Sequence, residues 1–118
     1  AAGERCRLHV VFHGCKQGRG YAAAGQPPIG RGFAEQAGYN RWAEANRIVV
    51  LYPQVAASPG VGGTDPYQFN PLGCWDFWGY SLPGDAATTG IERRFAWREA
   101  PQMRAVKAMV DALRRTAP

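Results

Sequence analysis

The chain has 118 residues, which suits one domain with its own hydrophobic core. Hydrophobic residues make up 46% and charged residues 19%, a balance that excludes disordered and collagen-like classes, and no apolar run is long enough to predict a membrane span. The formal net charge of +5 comes from scattered arginines without a nucleic-acid-binding motif, so neither nucleic acid nor a membrane is an expected partner.

The first predicted element is a buried strand over Leu8–Phe12, in the stretch RLHVVFHGCKQ. The strand stops in His13, Gly14 and Cys15, which together offer an imidazole, a residue free to adopt positive φ, and a thiol. A buried strand that ends in these three residues indicates that a chemical group is presented at the strand end.

The next elements predict one strand-helix-strand unit. A loop rich in Gly, Ala and Pro follows the first strand, and apolar residues then recur at helical spacing over Tyr39–Asn46, with Asn46 as a left-handed stop. The run IVVLYPQ predicts a parallel strand over Ile48–Tyr52 that is covered on both faces. A βαβ unit places its two strands in parallel, so the predicted fold class is α/β.

The second half of the chain predicts a long aromatic loop followed by a helix. Residues 54–99 show no clear period and are rich in turn residues, whereas Pro101–Arg114 reads as an amphipathic helix expected to pack on the sheet. Its apolar stripe consists of Met103, Val106, Val110 and Leu113. No internal repeat or break in composition divides the chain, so we expect residues 1–118 to lie in a single domain.

The three cysteines, Cys6, Cys15 and Cys74, are too few and wrongly spaced for a zinc or redox Cys-x-x-Cys site, and no metal is expected. Disulfides or inert thiols remain. If residues 7–13 are extended, Cys6 and Cys15 lie up to roughly 30 Å apart, beyond disulfide reach. The plausible internal pair is Cys15 with Cys74, which would close a loop of about 60 residues and contribute roughly 4 kcal/mol by the chain-entropy argument. Cys6 would then find its partner outside this chain.

Four blocks of the sequence carry a family resemblance: CRLHVVFHGCKQ, GYNRWAEANRIVVLYPQ, NPLGCWDFWGY and PQMRAVKAMVDAL. Together they resemble the polyhydroxybutyrate (PHB) depolymerase family of α/β-hydrolase esterases. Their order is most similar to circularly permuted members, in which the serine nucleophile, acid and histidine precede these blocks; in unpermuted secreted esterases, similar blocks precede a Gly-x-Ser-x-Gly motif. The resemblance implies a partial α/β-hydrolase, namely the C-terminal portion of a larger domain whose missing half is a partner.

The resemblance also implies roles for individual residues. The backbone N–H of Cys15 would form part of the oxyanion hole, and His13 would shape the turn. Trp75, Trp78 and Tyr80 would contact substrate. Asp76 is expected to fix the loop rather than to act as the catalytic acid.

The sequence departs from the family at the nucleophile. The stretch GYSLP, residues 79–83, has Pro83 where the serine motif requires glycine, so Ser81 is not the expected nucleophile. The resemblance therefore places the catalytic triad outside this chain.

The sequence thus predicts a fragment of a serine carboxylic ester hydrolase that supplies an oxyanion turn and a substrate-binding wall. Its substrate would be a polyester or short-chain ester, no cofactor is expected, and the location would be extracellular or periplasmic, with any export signal outside this chain. The alternative is a non-catalytic secreted polymer-binding module.

Overall fold

The computed structural model describes residues 6–58, 69–82 and 94–116. The elements in chain order are strand β1 (Arg7–Val10), helices α1 (Gly32–Gln36) and α2 (Tyr39–Ala45), strand β2 (Ile48–Leu51), a 3-10 helix (Arg94–Ala96) and helix α3 (Pro101–Thr116). Both predicted strands and both predicted helices are present. The sequence does not predict α1 or the 3-10 helix, because each is too short to show a hydrophobic period.

Strands β1 and β2 pair in parallel, which is consistent with the α/β class. The register sets Arg7 opposite Ile48 and Val10 opposite Leu51, and the Val11 N–H continues the pairing with a 2.9 Å bond to the Leu51 carbonyl. Within the described residues the sheet has two strands, and Val49 is 44% exposed. The prediction that the second strand is covered on both faces is therefore wrong for this part of the chain, because no further layer lies over Val49.

Helix α2 packs against β2, and its end is held by side chains. The Asn46 amide donates to the Trp42 carbonyl at 2.7 Å, and the Arg7 guanidinium donates to the Asn46 carbonyl at 3.1 Å. Asn46 itself has φ −112°, and the left-handed residue is Arg47 with φ 53°. The predicted left-handed stop is thus displaced by one residue, because the Asn46 side chain caps the helix instead of taking the turn.

Helix α3 is amphipathic, as predicted, but its apolar stripe is not buried on the sheet. Met103 is exposed and Val106 and Val110 are half-buried, while the helix packs against the 3-10 helix. On its polar side Lys107 donates to Asp111 at 2.6 Å, and this hydrogen bond lowers the pKa of the Asp111 carboxyl. Periodicity identifies the stripe, whereas burial depends on what surrounds the helix.

The most deeply buried polar side chain in the described residues is Asn70, which is 0% exposed. Its amide donates to the Cys74 carbonyl and its oxygen accepts from the Cys74 N–H, each at 2.9 Å. Its backbone also pairs with Ser58 through bonds of 2.9 and 2.7 Å. Asn70 therefore fastens the start of the aromatic loop to the segment that follows β2.

We expect Asn70→Ala to lower the free energy of unfolding by about 2 to 4 kcal/mol, because two hydrogen bonds are lost and the polar atoms of Cys74 remain buried. Urea unfolding followed by tryptophan fluorescence measures the loss. Asn40→Ala is the matched control, since its exposed side chain also makes two hydrogen bonds, to Ala34 and Tyr52, and we expect it to cost less than about 1 kcal/mol. Equal losses in the two variants would contradict the anchoring role of Asn70.

Candidate functional site

The turn after β1 is joined to the aromatic loop by a disulfide. The sulfur atoms of Cys15 and Cys74 are 2.08 Å apart and the two residues are separated by 59 positions in sequence. Cys6 is a free, exposed cysteine. The bond brings the His-Gly-Cys turn and the loop over residues 70–82 into one site at the carboxyl end of β1.

His13 is buried and both of its ring nitrogens are engaged. The Val55 N–H donates to Nε2 at 3.2 Å, so Nε2 is unprotonated, and Nδ1–H donates to the Gly14 carbonyl at 2.8 Å. The chain passes close to the ring at Gly18, where a Cβ would lie 2.9 Å from the Val55 carbonyl. These contacts occupy the imidazole in binding the backbone of the turn and leave no ring nitrogen free to act as a base.

The amides of the turn differ in their hydrogen bonding. The Gly14 N–H donates to Gln17 Oε1 at 2.7 Å, and the Lys16 N–H donates to the Leu72 carbonyl at 2.8 Å. Lys16 has φ 63°, a left-handed conformation that is uncommon for a residue with a side chain. The Cys15 N–H makes no hydrogen bond within residues 6–58, 69–82 and 94–116. The turn thus contains one unbonded amide between two bonded ones.

Trp75 packs over this turn. Its ring is 5.0 Å from that of Phe12, edge to face, and 5.8 Å from the His13 imidazole. Its indole Nε1 is buried and has no hydrogen-bond partner among the described residues. A buried indole N–H usually has an acceptor, so Trp75 holds an unused donor near the strand end.

Asp76 organises the backbone of the aromatic loop, as its expected loop-fixing role requires. Oδ1 accepts from the N–H groups of Trp78, Gly79 and Tyr80 at 3.1, 2.6 and 3.2 Å, and Oδ2 accepts from the N–H and hydroxyl of Ser81 at 3.0 and 2.6 Å. Gly79 has φ 100°, which a side chain would strain. One carboxylate thus replaces the hydrogen bonds that regular secondary structure would supply.

Ser81 is bound to this carboxylate and not to a histidine. Within the described residues no hydrogen bond joins Ser81 to His9 or His13. A serine nucleophile needs an adjacent base to take its proton, and the described contacts supply none.

Tyr80 is buried beneath the loop. Its hydroxyl donates to the Cys74 carbonyl at 2.8 Å and accepts from the Gln102 amide at 2.6 Å. Burial raises the pKa of the Tyr80 phenol above its ordinary value, and the hydrogen bond from Gln102 opposes this shift. The predicted substrate contact does not fit Tyr80, because its ring and hydroxyl are already occupied by the protein.

Two aromatic rings of the loop remain on the surface. Phe77 is 66% and Trp78 is 40% exposed, and their ring centroids are 4.6 Å apart. Trp78 also contacts the buried Tyr80 ring, with centroids 4.7 Å apart. The loop therefore presents an apolar surface whose position is set by buried neighbours.

Three glutamine and asparagine side chains of the site do not stand out in the sequence: Gln17, Asn70 and Gln102. Gln102 lies in the first turn of α3, and its Oε1 accepts from the Asp76 N–H at 2.8 Å while its amide binds Tyr80. The spacing of glutamine and asparagine residues along the sequence does not indicate which of them bind the backbone. The position of Gln17, three residues after Gly14 at a strand end, is the one local cue, since a side chain at that distance can reach back into a turn.

The described residues contain neither a metal-ligand cluster nor a membrane-spanning helix. No three His, Cys, Asp or Glu side chains within them lie close enough together to hold a metal ion. None of the described helices is long and apolar enough to cross a bilayer.

An open cavity of about 540 Å³ lies beside the turn, lined by Gln17, Ile29, Gly32, Phe33, Gln36 and Ala37.

Comparison with known proteins gives two curated relatives. The chain is 40% identical over 106 residues to a poly(3-hydroxybutyrate) depolymerase of Delftia acidovorans, which covers 90% of this chain and 16% of that protein. It is 39% identical over 80 residues to a polyhydroxybutyrate depolymerase of Talaromyces funiculosus, which covers 64% of this chain and 21% of that protein. The chain therefore spans about a fifth or less of the length of these relatives.

These relatives support the resemblance to the PHB depolymerase family. No protein-family profile matches the chain. No solved structure matches it significantly. The α/β architecture accordingly follows from the described elements themselves, and not from a structural neighbour.

Thiol titration of the unreduced, denatured protein should find one free thiol per chain, because Cys15 and Cys74 are bonded and Cys6 is not. Cys6→Ser should reduce this value to zero, whereas reduction before titration should raise it to three. Three reactive thiols without reductant would contradict the disulfide and detach the aromatic loop from the turn.

Proposed function

We propose that the chain is part of a serine carboxylic ester hydrolase of the PHB depolymerase family and supplies its oxyanion turn and substrate wall. Residues 1–118 would form the C-terminal portion of a larger α/β-hydrolase domain, with the triad in the preceding, circularly permuted half. The observation that carries the proposal is the Cys15 amide, which has no hydrogen bond within the described residues and lies in a turn that the disulfide joins to the aromatic loop.

The proposed reaction is acyl transfer. A serine hydroxyl from the rest of the enzyme attacks the ester carbonyl and passes its proton to a histidine, so that the carbonyl oxygen becomes an oxyanion. The Cys15 N–H donates to that oxyanion. As the C–O bond breaks, the histidine returns the proton to the leaving alcohol, and water then releases the acid from the serine. A single donor of this kind contributes roughly 2.7 to 4 kcal/mol to the stability of the transition state.

The arrangement of Trp75 and Trp78 supports a polyester or short-chain ester as the substrate. Trp75 lies against the His13 ring with its buried indole N–H unused within the described residues, and Trp78 is exposed farther along the same loop. An extended apolar chain could contact both rings while its ester carbonyl reaches the turn. Tyr80 would not contact the substrate itself but would hold the Trp78 ring in place through their ring contact.

We further propose an extracellular or periplasmic location. The disulfide fits an oxidising compartment, because cytosolic proteins of mesophiles keep their thiols reduced. A polymeric substrate that cannot enter a cell would be accessible to the enzyme in the same compartment.

A second candidate function is a non-catalytic polymer-binding module. The observation that favours it is Ser81, whose hydroxyl is bound to Asp76 and has no hydrogen bond to a histidine within the described residues. The aromatic surface formed by Phe77 and Trp78 would then bind polymer without any chemical step.

The isolated 118-residue chain should hydrolyse p-nitrophenyl butyrate no faster than the uncatalysed background, because its described residues offer no activated nucleophile. A full-length protein that carries this chain should hydrolyse the ester and should be labelled by a serine-directed phosphonate outside residues 1–118. Labelling at Ser81 would contradict the proposal that the nucleophile lies outside this chain. An inactive full-length protein would favour the polymer-binding module.

In the full-length protein, Trp78→Ala should lower the rate on insoluble polyester about tenfold while changing kcat/KM for the soluble ester less than about twofold, because only the extended substrate reaches Trp78. Trp97→Ala is the matched control, since Trp97 is 53% exposed against 40% for Trp78 but lies outside the loop over residues 70–82. Equal losses on both substrates would identify Trp78 as a structural residue.

A further inference from the structure

The direction of the Cys15 N–H is set by the peptide unit that joins Gly14 to Cys15. This unit contains the Gly14 carbonyl and the Cys15 N–H, which point in opposite directions because the peptide is planar and trans. The Gly14 carbonyl accepts from His13 Nδ1–H at 2.8 Å and from the Gln17 N–H at 3.2 Å. Fixing the carbonyl on one side therefore fixes the N–H on the other.

Gln17 also restrains the preceding peptide unit. Its side-chain Oε1 accepts from the Gly14 N–H at 2.7 Å. Gln17 thus binds both sides of Gly14, the N–H through its side chain and the carbonyl through its backbone. A Cβ on residue 14 would lie 2.9 Å from Gln17 Oε1, so glycine is what allows the side chain to approach this closely.

Glycine at this position creates a need for such restraint. Because Gly14 has no Cβ, rotation about its backbone bonds meets little steric resistance, and a flip of the Gly14–Cys15 peptide would turn the Cys15 N–H away. The next residue is already held, since Lys16 is left-handed and its N–H is bound to the Leu72 carbonyl. His13 Nδ1–H and the Gln17 N–H hold the Gly14 carbonyl, and the Gln17 side chain adds a restraint on the Gly14 N–H.

We propose that Gln17 is a positioning residue that holds the Gly14–Cys15 peptide in the orientation that aims the Cys15 N–H at the oxyanion. This inference rests on the proposed function, in which the Cys15 amide is an oxyanion donor. Gln17 acts on the amide and not on the substrate. Its loss should consequently affect the transition state, where the oxyanion exists, more than the bound ester.

Gln17→Met is the informative variant, because it keeps the length and the apolar stem of the side chain and removes the acceptor. In the full-length enzyme we expect kcat for a soluble ester to fall about tenfold with KM within about twofold, since a misdirected donor forfeits part of the oxyanion stabilisation. The rate of inactivation by a serine-directed phosphonate should fall by a similar factor, because its tetrahedral adduct also places an oxygen in the oxyanion site.

Amide hydrogen exchange provides a readout that does not depend on turnover. In Gln17→Met the Gly14 amide should exchange at least about tenfold faster than in the wild-type protein, because its acceptor is gone. Gln17→Glu keeps an oxygen at the same distance and should preserve the protection of Gly14.

Gln54→Ala is the matched control. Gln54 Oε1 accepts from the Arg19 N–H at 2.8 Å and its amide donates to the Tyr52 and Pro53 carbonyls, so this glutamine also fixes backbone groups with its side chain, but none of them belongs to Gly14 or Cys15. It should speed exchange at Arg19 and leave kcat within about twofold of the wild-type value, because none of its hydrogen bonds involves the Gly14–Cys15 peptide.

The outcomes separate the two proposals. An unchanged kcat and inactivation rate in a folded Gln17→Met enzyme would overturn the positioning role while leaving the esterase function intact. A raised KM with unchanged kcat would also overturn it, since Gln17 would then contact the substrate. A wild-type full-length protein without ester hydrolysis or phosphonate labelling would overturn the proposed function itself.

Discussion

The disulfide between Cys15 and Cys74 is the constraint on which the rest of the site depends. The two-stranded parallel sheet of the described residues is marginal on its own, and the loop over residues 70–82 contains no helix or named strand that would hold it in place. The bond connects the end of β1 to that loop across 59 residues of chain. It thereby joins the turn that contains the Cys15 amide to the loop that carries Trp75 and Trp78.

Side-chain hydrogen bonds supply the partners for the loop's backbone groups that a helix or a sheet would otherwise supply. Asn70 binds both backbone groups of Cys74, and the Asp76 carboxylate accepts hydrogen bonds from successive N–H groups. Gln102 connects the loop to α3. Buried backbone groups need partners, and an irregular loop can meet that need with carboxylate and amide side chains. The result is a loop whose interior is ordered by polar contacts while Phe77 and Trp78 remain outside.

The described residues also leave apolar surface uncovered away from the site. Trp42, Val49 and Met103 are exposed on α2, β2 and α3. Their exposure agrees with a chain that matches about a fifth or less of the length of its relatives. Under the proposed function, the remainder of the hydrolase would cover these faces and bring the serine opposite the Cys15 turn.

The sequence by itself determined the α/β class, the parallel strands, helices α2 and α3, and which cysteine pair to exclude. The elements follow from local patterns, namely a period in the apolar residues or a run of β-branched residues. The cysteine argument follows from distance, because an extended segment holds Cys6 too far from Cys15 for a disulfide. The tertiary structure decided the burial of Tyr80, the exposure of Val49, and the contacts of Gln17 and Gln102. Burial depends on which other elements lie nearby, and a neutral amide gains its role from whichever backbone group comes within about 3 Å of it, so neither is encoded in the spacing of residues along the chain.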